Sequence, residues 1–330
     1  MQLILNKKGA TLSVRSGRYR ITTADAEHWV PPHQVKTITL HPGTKLTHEA
    51  VLIAIEHDTD LVLVDGKGFP VARVWSNKFG SIATIRKNQL SFSGSPKAIE
   101  WIRGLLLRKA DNQLTMLAAL GMLNPLAGEA GQKASEGMAR LQQKIRHLPA
   151  NSLHDTFASF RGYEGSLSRV YFETISRLLP EMYRFPRRSQ HPALDGFNCL
   201  LNYAYGMLYT LVESALIRAG LDPAIGVMHR DEYNRPVLTY DFIEPFRVWA
   251  DYVVCHLCHQ QVIFPEFFDE VEAASGQKAI WLNTAGKRVL IQSFNDYLEE
   301  VVTLNDLPRS RQTHIDLEAQ QLAKKLKIEN

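Results

Sequence analysis

The sequence predicts an α+β fold in two domains: a small β-rich, sandwich-like N-terminal domain and a larger all-α C-terminal domain. Three observations carry this. The first eighty or so residues alternate apolar and polar side chains with turn residues between them. From Ala98 onward, apolar residues recur at helical spacing. Between the two, Ser91-Phe92-Ser93-Gly94-Ser95-Pro96 is polar and rich in breakers. The expected boundaries are 1–85 for the β-rich domain, 86–97 for a linker and 98–330 for the helical domain.

In the first domain, Asn6-Lys7-Lys8-Gly9 marks a turn. Leu12 and Val14 then alternate with polar residues, Ser16-Gly17 turns the chain, and Tyr19 and Ile21 resume the alternation. Ile38 and Leu40 signal another strand. Leu61-Val62-Leu63-Val64 reads as a short buried strand, with Val71 to Trp75 returning as its hairpin partner after Asp65-Gly66-Lys67-Gly68. One helix interrupts over 47–56, with Thr47 as N-cap and Ala50, Val51, Ala54 and Ile55 on one face. In the second domain, helices are expected over 98–119, 130–147, 164–179, 196–219, 242–260, 287–302 and 311–327. Pro125, Pro149, Pro180, Pro223 and Pro308 punctuate them.

Composition narrows the function classes. The chain has 330 residues, 45% of them hydrophobic, so two domains with real cores are affordable. No apolar run is long enough to span a bilayer, and the first residues lack the basic region of a secretion signal. Three cysteines do not make a disulfide framework. A cytoplasmic location is the expectation. A net charge of +4 permits nucleic-acid binding without requiring it. Arg184, Arg187 and Arg188, interleaved with Tyr183 and Phe185, form either a solvated loop or a set of DNA contacts with rings to stack on a base. There is no phosphate-cradling glycine loop and no Gly-x-Ser-x-Gly elbow.

The chemistry concentrates at Gly226-Val227-Met228-His229 and at Asp241-Phe242-Ile243-Glu244-Pro245-Phe246-Arg247. With a helix starting near Asp241, Asp241 and Glu244 share a face and Arg247 continues it. One reading is structural: Asp241 as N-cap, Glu244 in the capping-box position and Arg247 as its ion-pair partner. The other is a hard-metal site. The hinge 231–236 lets the chain fold back so that His229 meets Glu244, and one imidazole with carboxylates suits magnesium or manganese. Glu164, in Gly162-Tyr163-Glu164-Gly165, is the candidate third ligand and is expected to open a helix. Cys255, Cys258 and His259 share a helix face. Buried core cysteines explain them better than zinc, because no second Cys/His pair lies at finger-like spacing.

Together these segments resemble the CRISPR-associated integrase family, enzymes that insert new spacers into CRISPR arrays. Gly162 to Gly165 with Tyr171-Phe172 is similar to its first acidic motif, and Asp195 to Tyr203 to its central helix start, preceded by the Phe185 to Arg188 pattern. Gly226 to His229 is similar to its histidine motif, and Asp241 to Arg247 to its second acidic motif. The resemblance implies a catalytic helical domain and metal-dependent strand transfer, in which a DNA 3′-hydroxyl attacks a target phosphodiester. It implies Mg²⁺ or Mn²⁺ held by Glu164, His229 and Glu244, with Asp241 at a further acidic position and Arg247 at a nearby basic one; in such a site Asp241 would orient His229 or a metal-bound water, and Arg247 would donate to a phosphate oxygen. It also implies DNA, a second copy of the chain and a small companion CRISPR-associated subunit as partners, with the N-terminal domain as the dimerisation element. The rival readings are a catalytically silent DNA-binding or assembly protein and a metal-dependent hydrolase of a small molecule.

Overall fold

The computed structural model describes residues 1–66, 68, 70–74, 82–123, 128–150, 152–229, 235–272, 276 and 278–328. The chain divides into two compact units, Met1–Ile82 with Val301–Gln312, and Ala83–Glu300 with Thr313–Asn330.

The first unit is built on two four-stranded sheets. In one, β1 (Gln2–Leu5), β5 (Thr37–Leu40) and β7 (Asp60–Val64) run parallel, and β8 (Pro70–Val74) closes the order β1-β5-β7-β8 as an antiparallel edge. In the other, β4 (Glu27–Val30), β3 (Arg18–Thr22), β2 (Thr11–Arg15) and the short β6 (Lys45–Leu46) lie in the order β4-β3-β2-β6. Ser16 and Gly17 both take positive φ, the backbone that a two-residue hairpin between twisted strands needs. Helix α1 (His48–Glu56) is capped by the Thr47 hydroxyl, which accepts from the Ala50 N–H. Leu12, Tyr19, Ile38, Ala50, Ala54 and Leu61 fill the core between these elements. The β7–β8 hairpin follows the expected pattern; Trp75, expected at the end of its second strand, lies outside the described residues. Helix α2 (Ile82–Ser93) occupies most of what reads as linker in the sequence. Its Ile85, Gln89 and Phe92 recur at helical spacing and are buried, so only Gly94 and Ser95 separate it from the next helix.

The second unit contains α2 from Ala83 on, α3 (Pro96–Leu123), α4 (Gly128–His147), α5 (Leu153–Leu178), α6 (Gly196–Arg218), α7 (Val237–Phe242), α8 (Arg247–His259) and α9 (Thr284–Glu299), with most of α10 (Arg311–Ile328). It is not all-α. Strands β9 (Phe268–Glu272) and β10 (Lys278–Leu282) form a hairpin within it. A second hairpin, β11 (Val301–Leu304) with β12 (Leu307–Ser310), lies in the stretch that belongs to the first unit. Strands β9, β11 and β12 are short and mostly exposed, and β10 is a five-residue, largely apolar run, so no sustained alternation marks either hairpin in the sequence. No helix among the described residues is long and apolar enough to cross a membrane.

Two helices depart from expectation in ways that place the site. Helix α5 begins a full three turns before Glu164. Ser152 caps it by accepting from the Asp155 N–H, and Phe157 and Phe160 already lie on its buried stripe. Gly162 and Gly165 therefore sit inside a helix, at a cost of about 1 kcal/mol each relative to alanine that burial of Phe160, Leu167, Tyr171 and Ile175 offsets. The expected helix over 242–260 is broken instead. Asp241 stands near the end of α7, Glu244–Phe246 form a 3-10 turn, and α8 starts at Arg247. Pro245 forces the break, because inside a continuous helix its ring would clash with the Asp241 carbonyl. Asp241 is thus no N-cap, and the capping-box reading falls. Because α5 is held by its apolar stripe, Leu167→Ala is expected to lower unfolding free energy by about 3 kcal/mol, measured by urea titration.

Candidate active site

Helix α3 runs through the helical unit with Ile99, Ile102, Leu105, Leu106, Ala110, Met116 and Leu117 buried. Lys109 interrupts this stripe, one turn from Leu105 and Leu106, with only 3 % of its side chain exposed. Its ammonium contacts Oε1 of Glu164 on α5 and lies 2.5 Å from Oε2 of Glu244 in the 3-10 turn. The Ser168 hydroxyl, one turn along α5, also donates to Glu164 Oε1 at 2.8 Å. Asn112, half-buried three residues further along α3, donates to the Pro245 carbonyl at 2.8 Å and so ties the turn that carries Glu244 to the helix that carries Lys109.

Glu244 meets a second cation. Arg247 Nε donates to its Oε1 at 2.9 Å, and Arg247 Nη2 donates to the Tyr209 hydroxyl at 2.6 Å. The guanidinium carbon lies 5.0 Å from the Tyr205 ring centre and 5.2 Å from that of Tyr209. Arg247 was expected to reach out to phosphate; these contacts turn its Nε and Nη2 inward, where they fix Glu244.

His229 follows a loop that other elements hold in place. Gln89 on α2 donates to the carbonyls of Asp222 and Ile225 and accepts from the Asp222 N–H, and Arg161 on α5 donates to the Met228 carbonyl at 2.6 Å. Gly226 is required there, since a Cβ would come within 2.7 Å of the Val237 side chain. Asp241 is the centre of this loop. Its Oδ2 accepts from the Val227 and Met228 N–H groups at 2.7 and 3.0 Å, and its Oδ1 from the His229 N–H at 3.1 Å and from His229 Nδ1 at 2.6 Å. Because a carboxylate only accepts, Nδ1 carries the proton and Nε2 is left to face outward. The ring also meets Tyr240 edge-to-face at 5.9 Å, and Tyr240 meets Tyr209 in the same way at 5.5 Å. The expected hinge residues 231–234 lie outside the described residues.

Charge follows geometry. Burial pushes the Glu164 carboxyl up, but the Lys109 charge and hydrogen bond, with Ser168 and Arg247, outweigh it and bring it down to about 2. Burial would lower the Lys109 ammonium, yet Glu244 and then Glu164 hold it above the ordinary lysine range. For His229, burial is outweighed by Asp241 and by the charge of Glu244, which raises the imidazole above its usual value.

Of the three expected metal ligands, Glu164 and Glu244 are brought together across Lys109, and His229 stands beside them paired with Asp241. Among the described residues, no three His, Cys, Asp or Glu side chains are grouped closely enough to hold a metal ion. Lys109 lies against both carboxylates and Arg247 against that of Glu244. The donors still suit a hard cation. Both carboxylates are oxygen ligands, and the buried Oε2 of Glu244 has no hydrogen bond of good geometry even with the ammonium beside it.

The three arginines expected at DNA separate. Arg184 and Arg187 are exposed. Arg188 is turned inward: it donates to the Ser189 carbonyl and to the amide oxygens of Asn198 and Asn202, and lies over the Phe172 and Tyr205 rings. Tyr183 and Phe185 do not project for base stacking. Phe185 is stacked on Phe197 at 4.5 Å, and the buried Tyr183 hydroxyl donates to the Ile263 carbonyl. Cys255 and Cys258 are fully buried, and burial pushes both thiols up, which disfavours the thiolates that zinc requires.

A profile of the family described as "CRISPR associated protein Cas1" matches residues 3–296. The chain belongs to the Cas1 family. It is 30% identical over 308 residues to a protein of Thermus thermophilus named CRISPR-associated endonuclease Cas1 1, covering 92% of this chain and 88% of that one. A protein of the same name from Archaeoglobus fulgidus is 26% identical over 311 residues, covering 91% and 88%. In fold, this Cas1-family chain is similar to a Cas1 protein from Thermotoga maritima, with a TM-score of 0.80 at 20% identity, covering 100% and 98% of the two chains. It is also similar to a casposase bound to an integration product, with a TM-score of 0.83 at 20% identity, covering 100% and 91%.

Behind Arg247 lies a further acid that the motifs do not include. Asp251, one helical turn on, is 1 % exposed and accepts from the Tyr171 and Tyr205 hydroxyls at 2.9 and 2.7 Å. Burial pushes its carboxyl up to about 6, more than the two tyrosines and the nearby Arg247 and Arg188 pull it down. The folded state thus keeps a proton that the unfolded chain gives up near its ordinary value of 3.8. As pH rises between these values the fold loses stability, on the order of 2–3 kcal/mol, and above the upper one the loss is complete. Unfolding measured across this range is expected to show wild type falling relative to Asp251→Asn between about pH 4 and pH 6, then running parallel to it.

Proposed function

We propose that this chain is a metal-dependent DNA endonuclease and integrase that inserts spacer DNA into a CRISPR array, the adaptation step of CRISPR immunity. The observation that carries the reading is the pair of carboxylates, Glu164 and Glu244, facing each other across a single buried cation beside the His229–Asp241 pair. Membership of the Cas1 family and the names of the relatives support it. The casposase of similar fold, bound to an integration product, supports the integrase side.

Magnesium or manganese held by Glu164 and Glu244, with His229 Nε2 as the third donor, would polarise the scissile phosphate and acidify the attacking hydroxyl. The chain's own residues do the rest. Asp241 holds His229 in the tautomer that leaves Nε2 outward. Arg247 fixes the rotamer of Glu244, and Tyr209 fixes Arg247. Ser168 fixes Glu164. The reaction joins a 3′-hydroxyl to a phosphodiester and releases another 3′-hydroxyl, so one P–O bond forms for each that breaks. No nucleoside triphosphate is required, in keeping with the lack of a glycine loop in the sequence. Water in place of the 3′-hydroxyl makes the same site a nuclease. The partners of this reading are DNA, a second copy of the chain and the small companion subunit Cas2.

Purified Glu164→Gln, His229→Ala and Glu244→Gln are each expected to lose strand transfer of a 3′-hydroxyl duplex into supercoiled plasmid with Mn²⁺, while DNA binding persists. Integration at the wild-type level by any of them overturns the assignment. Replacing both Arg184 and Arg187 by alanine is expected to reduce the slope of log affinity against log salt by up to about 2. Arg188→Ala is expected to act on melting temperature instead, because its donors satisfy the amide oxygens of the buried Asn198 and the half-buried Asn202.

A further inference from the structure

Lys109 belongs to none of the motifs, yet it makes the link between Glu164 and Glu244. A lysine in the buried stripe of a long helix is costly unless its charge is matched, and an apolar side chain would pack there at less cost. Folding alone therefore does not account for it. Its ammonium lies against one oxygen of each carboxylate, at hydrogen-bond range from Glu164 Oε1 and 2.5 Å from Glu244 Oε2. The Glu244 contact is held by charge rather than direction, since Oε2 receives no hydrogen bond of good geometry. The lysine thus supplies one positive charge shared between two carboxylates.

The two cations at the site differ in how they are anchored. Arg247 has Tyr209 and the Tyr205 ring in addition to Glu244, and its charge is permanent. Lys109 is anchored, among the described residues, through the two carboxylates, at the end of a flexible four-carbon stem. Two carboxylates facing one lysine and one arginine are already balanced. A divalent ion added with both cations in place would leave excess positive charge in a buried site. Arg247 holds Glu244 Oε1, whereas Lys109 holds an oxygen of each of the two carboxylates that would bind the ion.

We infer that Lys109 is a built-in stand-in for the divalent cation: it keeps Glu164 and Glu244 paired and in place, and it must leave them for the ion to bind, so that it sets the affinity for metal. This rests on the assignment of Glu164 and Glu244 as metal ligands. The gain is a site assembled before the ion arrives, and the cost is weaker binding.

The test is titration of the purified full-length protein with Mn²⁺ alone, by calorimetry and by the shift of melting temperature. Lys109→Met is expected to bind Mn²⁺ about tenfold or more tightly than wild type, to melt lower before metal is added and to gain more from it, since Arg247 alone is left to balance two carboxylates. Lys109→Arg, which keeps the charge and adds bulk, is expected to bind no more tightly than wild type. Should Lys109→Met not fold, Lys109→Gln, neutral and able to hydrogen bond one carboxylate, takes its place with the same expectation. Equal or weaker Mn²⁺ affinity in the neutral variants overturns the inference. Glu244→Gln reads the ligand assignment separately: it is expected to lose Mn²⁺ binding, and unchanged affinity there overturns the assignment rather than the competition.

Discussion

Burying a carboxylate is tolerable only with a cation or several donors beside it, and the helical unit buries three of them within one turn-break-turn segment. Glu244 is matched by Lys109 and Arg247, Asp241 by three backbone N–H groups and an imidazole, and Asp251 by two tyrosine hydroxyls. Each solution recruits a different element. Lys109 comes from α3 and Glu164 from α5, the loop before α7 supplies the amides, and α5 and α6 supply the tyrosines. Satisfying these charges therefore draws together segments far apart in sequence. Removing one partner leaves a buried charge bare, a loss of about 3–5 kcal/mol, larger than most single contacts in the fold.

The aromatic residues around the site extend the same constraint. Tyr205 lies between the guanidinium groups of Arg188 and Arg247, and its hydroxyl reaches Asp251. Tyr209 accepts from Arg247 and meets Tyr240, which meets His229. A chain of contacts thus runs from the Asn198 and Asn202 amides through Arg188, Tyr205, Arg247, Tyr209 and Tyr240 to the His229 ring. The rings exclude water and set the angle of each guanidinium, so the orientation of Glu244 depends on packing as much as on its own hydrogen bonds. Arg188 serves this scaffold, although the sequence alone puts it with its exposed neighbours Arg184 and Arg187. Nothing in a cluster of three arginines tells which one points inward.

The sequence made the two-part architecture and the clustering of His229, Asp241, Glu244 and Arg247 legible, because both are short-range patterns. Alternation over a few residues marks strands, helical spacing marks α3 and α6, and four polar residues within an apolar run stand out. What escaped depends on long-range matching. Lys109 is 55 residues from Glu164. Its one local signal, a lysine on the stripe of Leu105, Leu106 and Ala110, could have been found by asking which charges occupy apolar positions. Asp251 carries the same signal among Ala250, Val254 and Cys255. The stretch 86–97 reads as a linker by composition because of Ser91, Ser93 and Gly94, whereas the helical spacing of Ile85, Gln89 and Phe92 decides its structure. The start of α5 was misread because glycine is a breaker only where packing does not compensate it.

Pro245 explains why Asp241 and Glu244 do different work. In an unbroken helix their spacing would set both carboxylates on one face, competing for the same partners. Proline cannot continue the helix there, so Asp241 ends α7 turned toward the 227–229 amides, while the 3-10 turn carries Glu244 round to α3 and α5. Asn112 then fixes the turn by donating to the proline carbonyl. A break in the backbone thus separates one acidic motif into an orienting carboxylate and a cation-binding one. Spacing alone describes them as a pair, and only the proline between Glu244 and Arg247 hints that they part.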